Sequence, residues 1–368
     1  MKIAYIVLKG MPLGGGIEKY TEEIGFRLAE KGHKITVYTM KHYGAKDGYY
    51  KGMEIKTIQT IKSKSLEKIC ASFFATIIEI LTNKSDIIHF HAFGPSVFSI
   101  IPKLIGRKVI VQGHGIEWKR SKWGVGGKVF LKLTERPSIL IPHKVTVVSK
   151  TQQKYIKYKY GIDAVYIPTG VNQPKVLRPN LIKEKYGLIG NDYILFAARI
   201  VREKGAHYLI EAYNRLNTDK KLVIAGDAQH EEKYKEELKK LAKGNKNIVF
   251  TGFVTGDLLN ELFSNCYFFV LPSEIEGLPT ALLEAMSYGN CCLVSDIEEN
   301  LEALNDYGYS FKNMDVNDLT EKMDLLLKKP ELVESVKEKA KEHVLNNYSW
   351  DSIADKFERL YKELIEEK

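Results

Sequence analysis

The chain has 368 residues, of which 44% are hydrophobic and 27% charged. That balance is ordinary for a soluble globular protein and excludes disordered and fibrous classes, and the length suits two domains of about 150 to 200 residues each. The net charge of +9 is unevenly spread: residues 1–172 carry 28 Lys and Arg against 12 Asp and Glu, so the remainder is net acidic, and the basic half suits a partner bearing phosphates, whether anionic lipid, lipid-linked sugar or nucleic acid.

Cys70, Cys266, Cys291 and Cys292 have neither metal-ligand nor redox spacing and read as buried thiols in a reducing compartment. No stretch approaches the roughly 20 apolar residues of a membrane-spanning helix. The apolar run at the N-terminus is too short for a signal peptide and has no small-residue cleavage site. The expected location is cytoplasmic.

Residues 1–8 read as a short strand, GMPLGGG as a loop and 17–31 as a helix whose Ile24, Phe26, Leu28 and Ala29 fit a sheet; 34–40 is the next strand. This order is an α/β unit of the doubly wound kind. Gly14, Gly15 and Gly16 lack both the GxGxxG spacing and a GK[ST] ending, so neither a dinucleotide nor a P-loop is supported. A glycine loop at a strand's carboxyl end still presents N–H groups to an anion, with a plain turn as the competing reading. Residues 55–61 alternate as an edge strand, and 66–81 and 97–105 read as helices. DIIHFH, 86–91, is a buried strand that turns His89 and His91 to one side. No third ligand has supporting spacing, so no metal is expected there.

The strand over 109–112 runs into GHGIEW and leaves His114 at its carboxyl end, where open α/β sheets bind ligands. Trp118, Lys119, Arg120, Lys122, Trp123 and Lys128 follow. Interleaved aromatic and basic residues suit a nucleic-acid stacking surface or an acceptor platform for sugar and phosphate. Their place directly after the strand end favours the second. Then come a strand over 144–149, a Lys- and Tyr-rich helix over 152–160, a strand over 165–172 and a linker over 170–180 interrupted by Pro174 and Pro179.

The second half repeats the rhythm. Strands over 193–198, 221–225, 247–250, 267–271 and 291–295 alternate with helices over 205–216, 232–242 and 258–264, which predicts a parallel sheet covered on both faces. Arg199 and Lys204 follow the first strand, where a guanidinium fork and a mobile ammonium can neutralise a diphosphate from two directions; a solvated charge run is the plainer reading. Gly226-Asp227 and Gly252-Phe253-Val254 mark two further strand-end turns. Residues 272–289, PSEIEGLPTALLEAMSYG, are a strand end, a turn and an apolar helix start, with Glu276 before the turn and Glu284 about one turn into the helix. Gly277 permits close approach, Pro279 sets the angle into the helix, and the N–H groups of Thr280, Ala281 and Leu282 can point at phosphate or sugar oxygens. A helix start capped by its own acidic side chain is the alternative. Residues 325–368 read as helical; Ser349 or Asp351 can cap a helix whose Ile353, Ala354, Phe357, Leu360, Tyr361 and Leu364 form one stripe.

Glu276 and Glu284, eight positions apart around GLPTALL, taken with Arg199, Lys204 and His114, resemble the retaining GT-B glycosyltransferases of the large nucleotide-sugar-dependent family 4 (group 1). The resemblance spans essentially the whole chain and is stronger in the second half. It implies an α/β protein of two Rossmann-like domains facing across a cleft: 1–173 for the acceptor, 174–348 for the nucleotide sugar, and 349–368 as a helix crossing back to the first domain. The implied reaction is retaining transfer of a hexosyl unit from a UDP- or GDP-sugar to a hydroxyl acceptor, in cell-surface glycan or glycolipid synthesis. No cofactor is implied, and no metal, since the side chains at the phosphates are cationic and the chain has no DxD triplet.

The roles it implies are specific. Arg199 and Lys204 meet the diphosphate, Glu284 the ribose, Glu276 the sugar hydroxyls and His114 the sugar ring; His114, Arg199, Lys204 and Glu276 form the catalytic set. Gly15 and Gly16 close over the diphosphate. Gly226, Phe253, Val254, Gly277, Leu278, Pro279 and Thr280 line the donor. Trp118, Lys119, Arg120 and Trp123 meet the acceptor, which is a glycan, a lipid-linked sugar or a small hydroxyl compound. An anionic surface on the inner face of the cell membrane is a further expected partner, and nucleic acid is not. The alternative is a non-enzymatic protein that binds nucleotide sugar or an anionic surface, which would make the match at Arg199, Lys204, Glu276 and Glu284 a coincidence.

Overall fold

The computed structural model describes all residues except Val7, Leu13, Gly14, Lys64, Ser65, Asn83, Ser121, Lys122, Gln229, His230 and Lys368. Gly14 and Lys122, both singled out above, thus lie outside the described residues. The chain divides into two compact units, Met1–Gly170 with Trp350–Lys368, and Val171–Ser349.

The first unit runs β1 (Lys2–Ile6), α1 (Gly16–Glu30), β2 (Lys34–Met40), β3 (Gly48–Tyr50), β4 (Met53–Ile58), α2 (Glu67–Thr82), β5 (Ile87–His91), α3 (Ile100–Leu104), β6 (Lys108–Gly113), α4 (Val125–Leu140), β7 (Lys144–Val147), α5 (Lys150–Tyr160) and β8 (Val165–Tyr166). Its sheet has the order β3-β4-β2-β1-β5-β6-β7-β8. Helices cover both faces of the central strands, so β5, IIHFH, is buried at every residue. Direction along the sheet reverses between β1 and β5, which makes their carboxyl ends a topological switch point.

Several local expectations are corrected here. Residues 55–61 alternate like an edge strand, yet β4 is covered by the antiparallel β3, which pairs Gly48 with Ile55 and Tyr50 with Met53. Three residues are too few to show a period. Of 165–172 only Val165–Tyr166 forms a strand; Pro168 has no N–H to continue the ladder. The strand expected over 144–149 ends at Val147, and Ser149 instead caps α5, its Oγ accepting from the Gln152 N–H at 3.2 Å. Helix α4 has no counterpart among the expected elements, because glycines at its start and Pro137 within it hide its pattern.

The second unit runs α6 (Leu181–Tyr186), β9 (Tyr193–Ala197), α7 (Ala206–Tyr213), β10 (Lys221–Ala225), α8 (Glu232–Leu241), β11 (Ile248–Gly252), α9 (Gly256–Asn265), β12 (Phe268–Leu271), α10 (Thr280–Ser287), β13 (Cys292–Ser295), α11 (Glu298–Leu304), β14 (Tyr309–Phe311), α12 (Val316–Lys328) and α13 (Pro330–Asn347). Its sheet is parallel, in the order β11-β10-β9-β12-β13-β14. The reversal falls between β9 and β12. Its core gathers Ile194, Phe196, Leu222, Ile224, Phe268 and Leu293 from the strands with Leu209 and Ile210 of α7. Cys266, Cys291 and Cys292 are buried free thiols, whereas Cys70 is only half-buried.

The last helix, α14 (Trp350–Glu366), returns to the first unit and packs on α1. All six residues of the expected stripe are buried. Asp351 does not cap it; its carboxylate accepts from Arg27 Nε of α1 at 2.5 Å, and Lys31 donates to Glu358 at 2.8 Å. The helical C-terminal segment also begins earlier than 325, with α12, and is broken at Pro330.

Candidate active site

The loops after β9 and β12 flank the second unit's switch point, and the structure ties them together. Lys204 closes a short 3₁₀ turn, Arg202–Lys204, and Gly205 follows with φ 70°. A Cβ on Gly205 would fall 1.9 Å from the carbonyl oxygen of Pro272, so only glycine lets the two loops meet so closely. Glu274 N–H donates to Glu203 O at 2.9 Å, and Tyr208 OH donates to Glu274 Oε1 at 3.0 Å. Across this junction Lys204 Nζ donates to Glu276 Oε1, with both side chains largely buried.

Arg199 is exposed at the start of the same loop after β9, between Ala198, whose N–H donates to Ala225 O at 3.0 Å, and Ile200, whose N–H donates to Asp227 O at 3.0 Å. Gly226 has φ 146°, and a Cβ there would lie 1.9 Å from Ala198 O. Its N–H donates to Gly252 O at 2.9 Å, which aligns the three strand ends. Beyond them Phe253 is 65% exposed and Val254 half-buried.

Helix α10 opens at Thr280 with Pro279 in the cap position, and no side chain of that residue closes it. Glu276 is engaged with Lys204 through its Oε1. The helix N-terminus, with its partial positive charge, follows directly on the Lys204–Glu276 pair. Gly277, Leu278 and Pro279 are buried, and Thr280 and Glu284 half-buried.

In the first unit, His114 follows β6. Its Nε2 lies 3.0 Å from His91 Nδ1, and His91 Nε2 lies 3.2 Å from the Thr21 hydroxyl, which donates to Ile17 O. Tyr20 meets the His114 ring edge-on at 5.0 Å. Burial, reinforced by the positive charge of Lys68, pushes the His114 pKa down to about 3, so the imidazole is neutral at pH 7. His89 stacks on His91 at 4.7 Å and meets Tyr361 OH at 2.7 Å. The fold thus supplies the third histidine that sequence spacing did not show. These contacts join the rings to one another and to hydroxyls, and no group of three or more His, Cys, Asp or Glu among the described residues is arranged to hold a metal. Tyr20 and Thr21, which orient the pair, left no sequence signal beyond lying on a helix after the glycine loop.

Gly15 lies under Glu18: a Cβ there would come 2.0 Å from Glu18 Oε2, while Glu18 Oε1 accepts from the Lys9 N–H at 3.1 Å. Gly16 is exposed and opens α1. The two tryptophans are tied inward. Trp118 Nε1 donates to buried Glu135 at 2.9 Å, with Lys132 over its ring at 4.6 Å, and Trp123 Nε1 donates to Glu117 at 3.3 Å. Glu135 also accepts from Tyr155, Tyr160 and Lys159. Lys119 points to solvent, and half-buried Arg120 lies 3.6 Å from Glu117.

The fold is shared over nearly the full chain with solved proteins. Sucrose-phosphate synthase from Thermosynechococcus elongatus superposes with a TM-score of 0.87 at 19% identity, covering 99% of both chains. HepE of Anabaena, solved with UDP and glucose, gives 0.82 at 16% identity over 99% of this chain and 100% of that one. Fold and site define a GT-B glycosyltransferase, a sugar-transferring enzyme that draws on a nucleotide-sugar donor.

The family model for Glycosyltransferase Family 4 matches residues 14–173, and that for Glycosyl transferases group 1 matches 180–343. The chain belongs to the glycosyltransferase family 4 superfamily, and the non-enzymatic alternative falls. An uncharacterised glycosyltransferase of Methanocaldococcus jannaschii is 25% identical over 393 residues, covering 100% of this chain and 99% of the relative. The N,N'-diacetylbacillosaminyl-diphospho-undecaprenol α-1,3-N-acetylgalactosaminyltransferase of Campylobacter jejuni is 33% identical over 174 residues, 47% of this chain and 45% of that enzyme.

Proposed function

We propose that the protein moves a hexosyl unit from a UDP- or GDP-sugar to a hydroxyl acceptor with retention of anomeric configuration, the second unit holding the donor and the first the acceptor. The observation that carries this is the Lys204–Glu276 pair, held at the sheet's switch point by the Gly205–Pro272 contact and the Glu274–Glu203 hydrogen bond. As the bond from C1 to the diphosphate breaks, negative charge grows on the leaving oxygen. Lys204, oriented by Glu276, and Arg199 stabilise that charge, aided by the start of α10.

Glu284 accepts from the ribose hydroxyls, and Glu276 from the sugar. A carboxylate already paired with an ammonium is a poor nucleophile, which favours front-face transfer: the new C1–O bond forms on the side the diphosphate leaves, and the leaving phosphate takes the acceptor's proton. Neutral His114 supplies the first unit's hydrogen-bonding group for the sugar. Gly226, Phe253 and Val254 shape the donor site of the second unit; in the first unit Gly15 and Gly16 present N–H groups to an anion, and Lys119 and Arg120 with the hydrogen-bonded tryptophans frame the acceptor. The cationic diphosphate site needs no divalent ion. HepE's crystallisation with UDP and glucose supports a nucleotide-sugar donor of this class. The undecaprenol-linked acceptor in the Campylobacter enzyme's name supports a lipid-linked acceptor in glycan or glycolipid synthesis, with the protein peripheral at the cytoplasmic face of the membrane.

The test is a panel of UDP-, GDP-, ADP- and dTDP-sugars, with NMR of the product's anomeric configuration. One base should be preferred, the configuration kept and transfer unaffected by excess EDTA. Lys204→Ala and Arg199→Ala should each lower turnover about a hundredfold or more. Inversion, a loss in EDTA that Mg²⁺ restores, or wild-type rates in both variants would each overturn the corresponding part.

A further inference from the structure

A helix packed on a sheet normally turns its apolar stripe inward. Helices α2 and α4 depart from it, turning acidic and hydroxyl side chains inward beside a few apolar ones and leaving a second apolar stripe outside. Helix α2 buries Glu67, Ser72, Thr76 and Glu79 beside the small Ala71 and Ala75, and exposes Phe74, Ile78 and Leu81. The buried polar groups are satisfied inside: Ser72 Oγ donates to Pro95 O at 2.7 Å, and Glu79 accepts from Tyr38 OH at 2.8 Å and the Ser85 N–H at 2.9 Å. Helix α4 buries Thr134, Glu135 and Ser138 together with Leu131 and Ile139, and exposes Val125, Val129, Leu133 and Leu140, which fall on one stripe. Between them α3 exposes Ile100 and Leu104.

These helices share one face of the sheet. The strands β4, β5, β6 and β7 succeed one another in a single direction, so right-handed crossovers place α2, α3 and α4 on the same side. All three pack against the segment Gly94–Ser99, and the rings of Phe73 and Phe98 meet at 5.3 Å. Charge on the face has one sign. Lys132 and Arg136 are exposed along the α4 stripe, and Lys128 is half-buried on the same helix. The acidic residues of the three helices, Glu67, Glu79 and Glu135, are all buried.

We propose that the α2-α3-α4 face docks on an anionic phospholipid bilayer, its apolar side chains entering the headgroup–acyl boundary while Lys132 and Arg136 meet headgroup phosphates. Apolar residues interleaved with cations on short helices fit an interfacial seat. Among the described residues no helix is long and apolar enough to span a membrane. A second copy of the chain fits worse, because a two-fold contact would set cations against cations with no acidic partner on the face. The inference deepens the peripheral membrane placement proposed above, on which it rests, and does not depend on the details of the transfer reaction.

The test is flotation of the full chain with vesicles of phosphatidylcholine alone and with about 30% phosphatidylglycerol, at low and high salt. Leu104 and Leu133 are 80% and 69% exposed, so Leu104→Glu and Leu133→Glu leave the core untouched. The wild type should float with anionic vesicles, be weakened by salt and hardly bind neutral ones. Each leucine variant, and Lys132→Glu with Arg136→Glu, should lose at least about tenfold in partition while keeping the wild-type melting curve. Failure to bind at low salt, binding indifferent to lipid charge, or variants that bind like the wild type would overturn the proposal. So would a wild-type dimer in light scattering that the leucine variants convert to monomer, with no vesicle binding in either.

Discussion

Gly205 controls how the cation of one loop reaches the carboxylate of the other. Its φ of 70° and the Pro272 carbonyl 1.9 Å from where a Cβ would stand cannot both be relieved by a side-chain rotation, because the obstacle is backbone. Gly205→Ala is expected to cost about 2 kcal/mol or more in urea denaturation and to weaken nucleotide binding, since the Lys204–Glu276 pair hangs on that contact. Gly15→Ala is the comparison: the obstacle there is the flexible end of Glu18, and a much smaller loss is expected. Equal losses would show that backbone approach is not what Gly205 provides. Glu284→Gln keeps shape and removes charge, so calorimetry should show weaker binding of free nucleoside diphosphate. His114→Ala should bind donor with near-normal affinity and turn over slowly; wild-type turnover would leave His114 a packing partner of His91.

At the scale of elements, α14 makes the last stretch of chain part of the first unit's core. Phe357 is fully buried, 5.5 Å from the His89 ring and 6.2 Å from Tyr20. Phe357→Ala should cost about 3 to 5 kcal/mol in the unfolding of that unit. Asp351→Ala, which removes a solvent-exposed partner of Arg27, should cost less than about 1 kcal/mol. Comparable losses would mean that the helix is held by its surface ion pairs. The α14 stripe was legible because its apolar residues recur at helical spacing beside a polar face. In α2 and α4 periodicity says only which residues share a face; the large exposed side chains Phe74, Leu81, Val129 and Leu133 point away from the sheet, while Ala75 and Ile139 are buried.

For the whole molecule, the buried histidines set a pH dependence. Burial holds His89 at about 3 and His91 well below the ordinary value of 6.5. The unfolded chain takes up their protons near pH 6.5 and the folded chain does not. Their contribution is therefore complete above pH 6.5 and is lost as pH falls below it, at about 1.4 kcal/mol per pH unit for each histidine. Glu358, held at about 2 chiefly by its hydrogen bond to Lys31, adds nothing between pH 7.5 and 5.5, where it is ionised in the folded and the unfolded chain alike; its contribution is lost only as pH falls below about 4.5. Urea unfolding at pH 7.5 and 5.5 should show a clear loss at the lower pH; equal stability would mean that the histidines are protonated in place.

By itself the sequence determined what depends on near neighbours: the alternation of strands and helices, the glycine turns at strand ends, the position of Glu276 and Glu284 on either side of one helix start, and the α14 stripe. Each is read within a few turns of chain, where spacing and backbone preference decide the outcome. Tertiary structure alone decided which distant groups meet. Lys204 finds Glu276 across 72 positions, His91 finds His114 across 23, and Trp118 turns its N–H to Glu135 across 17. Nothing local encodes those meetings, because they follow from the strand order and from backbone approaches such as that of Gly205 to Pro272. The outward-facing apolar sides of α2 and α4 have the same origin: buried Glu79 and Glu135 find internal hydrogen-bond donors, so the polar face can turn inward and the apolar one is left outside.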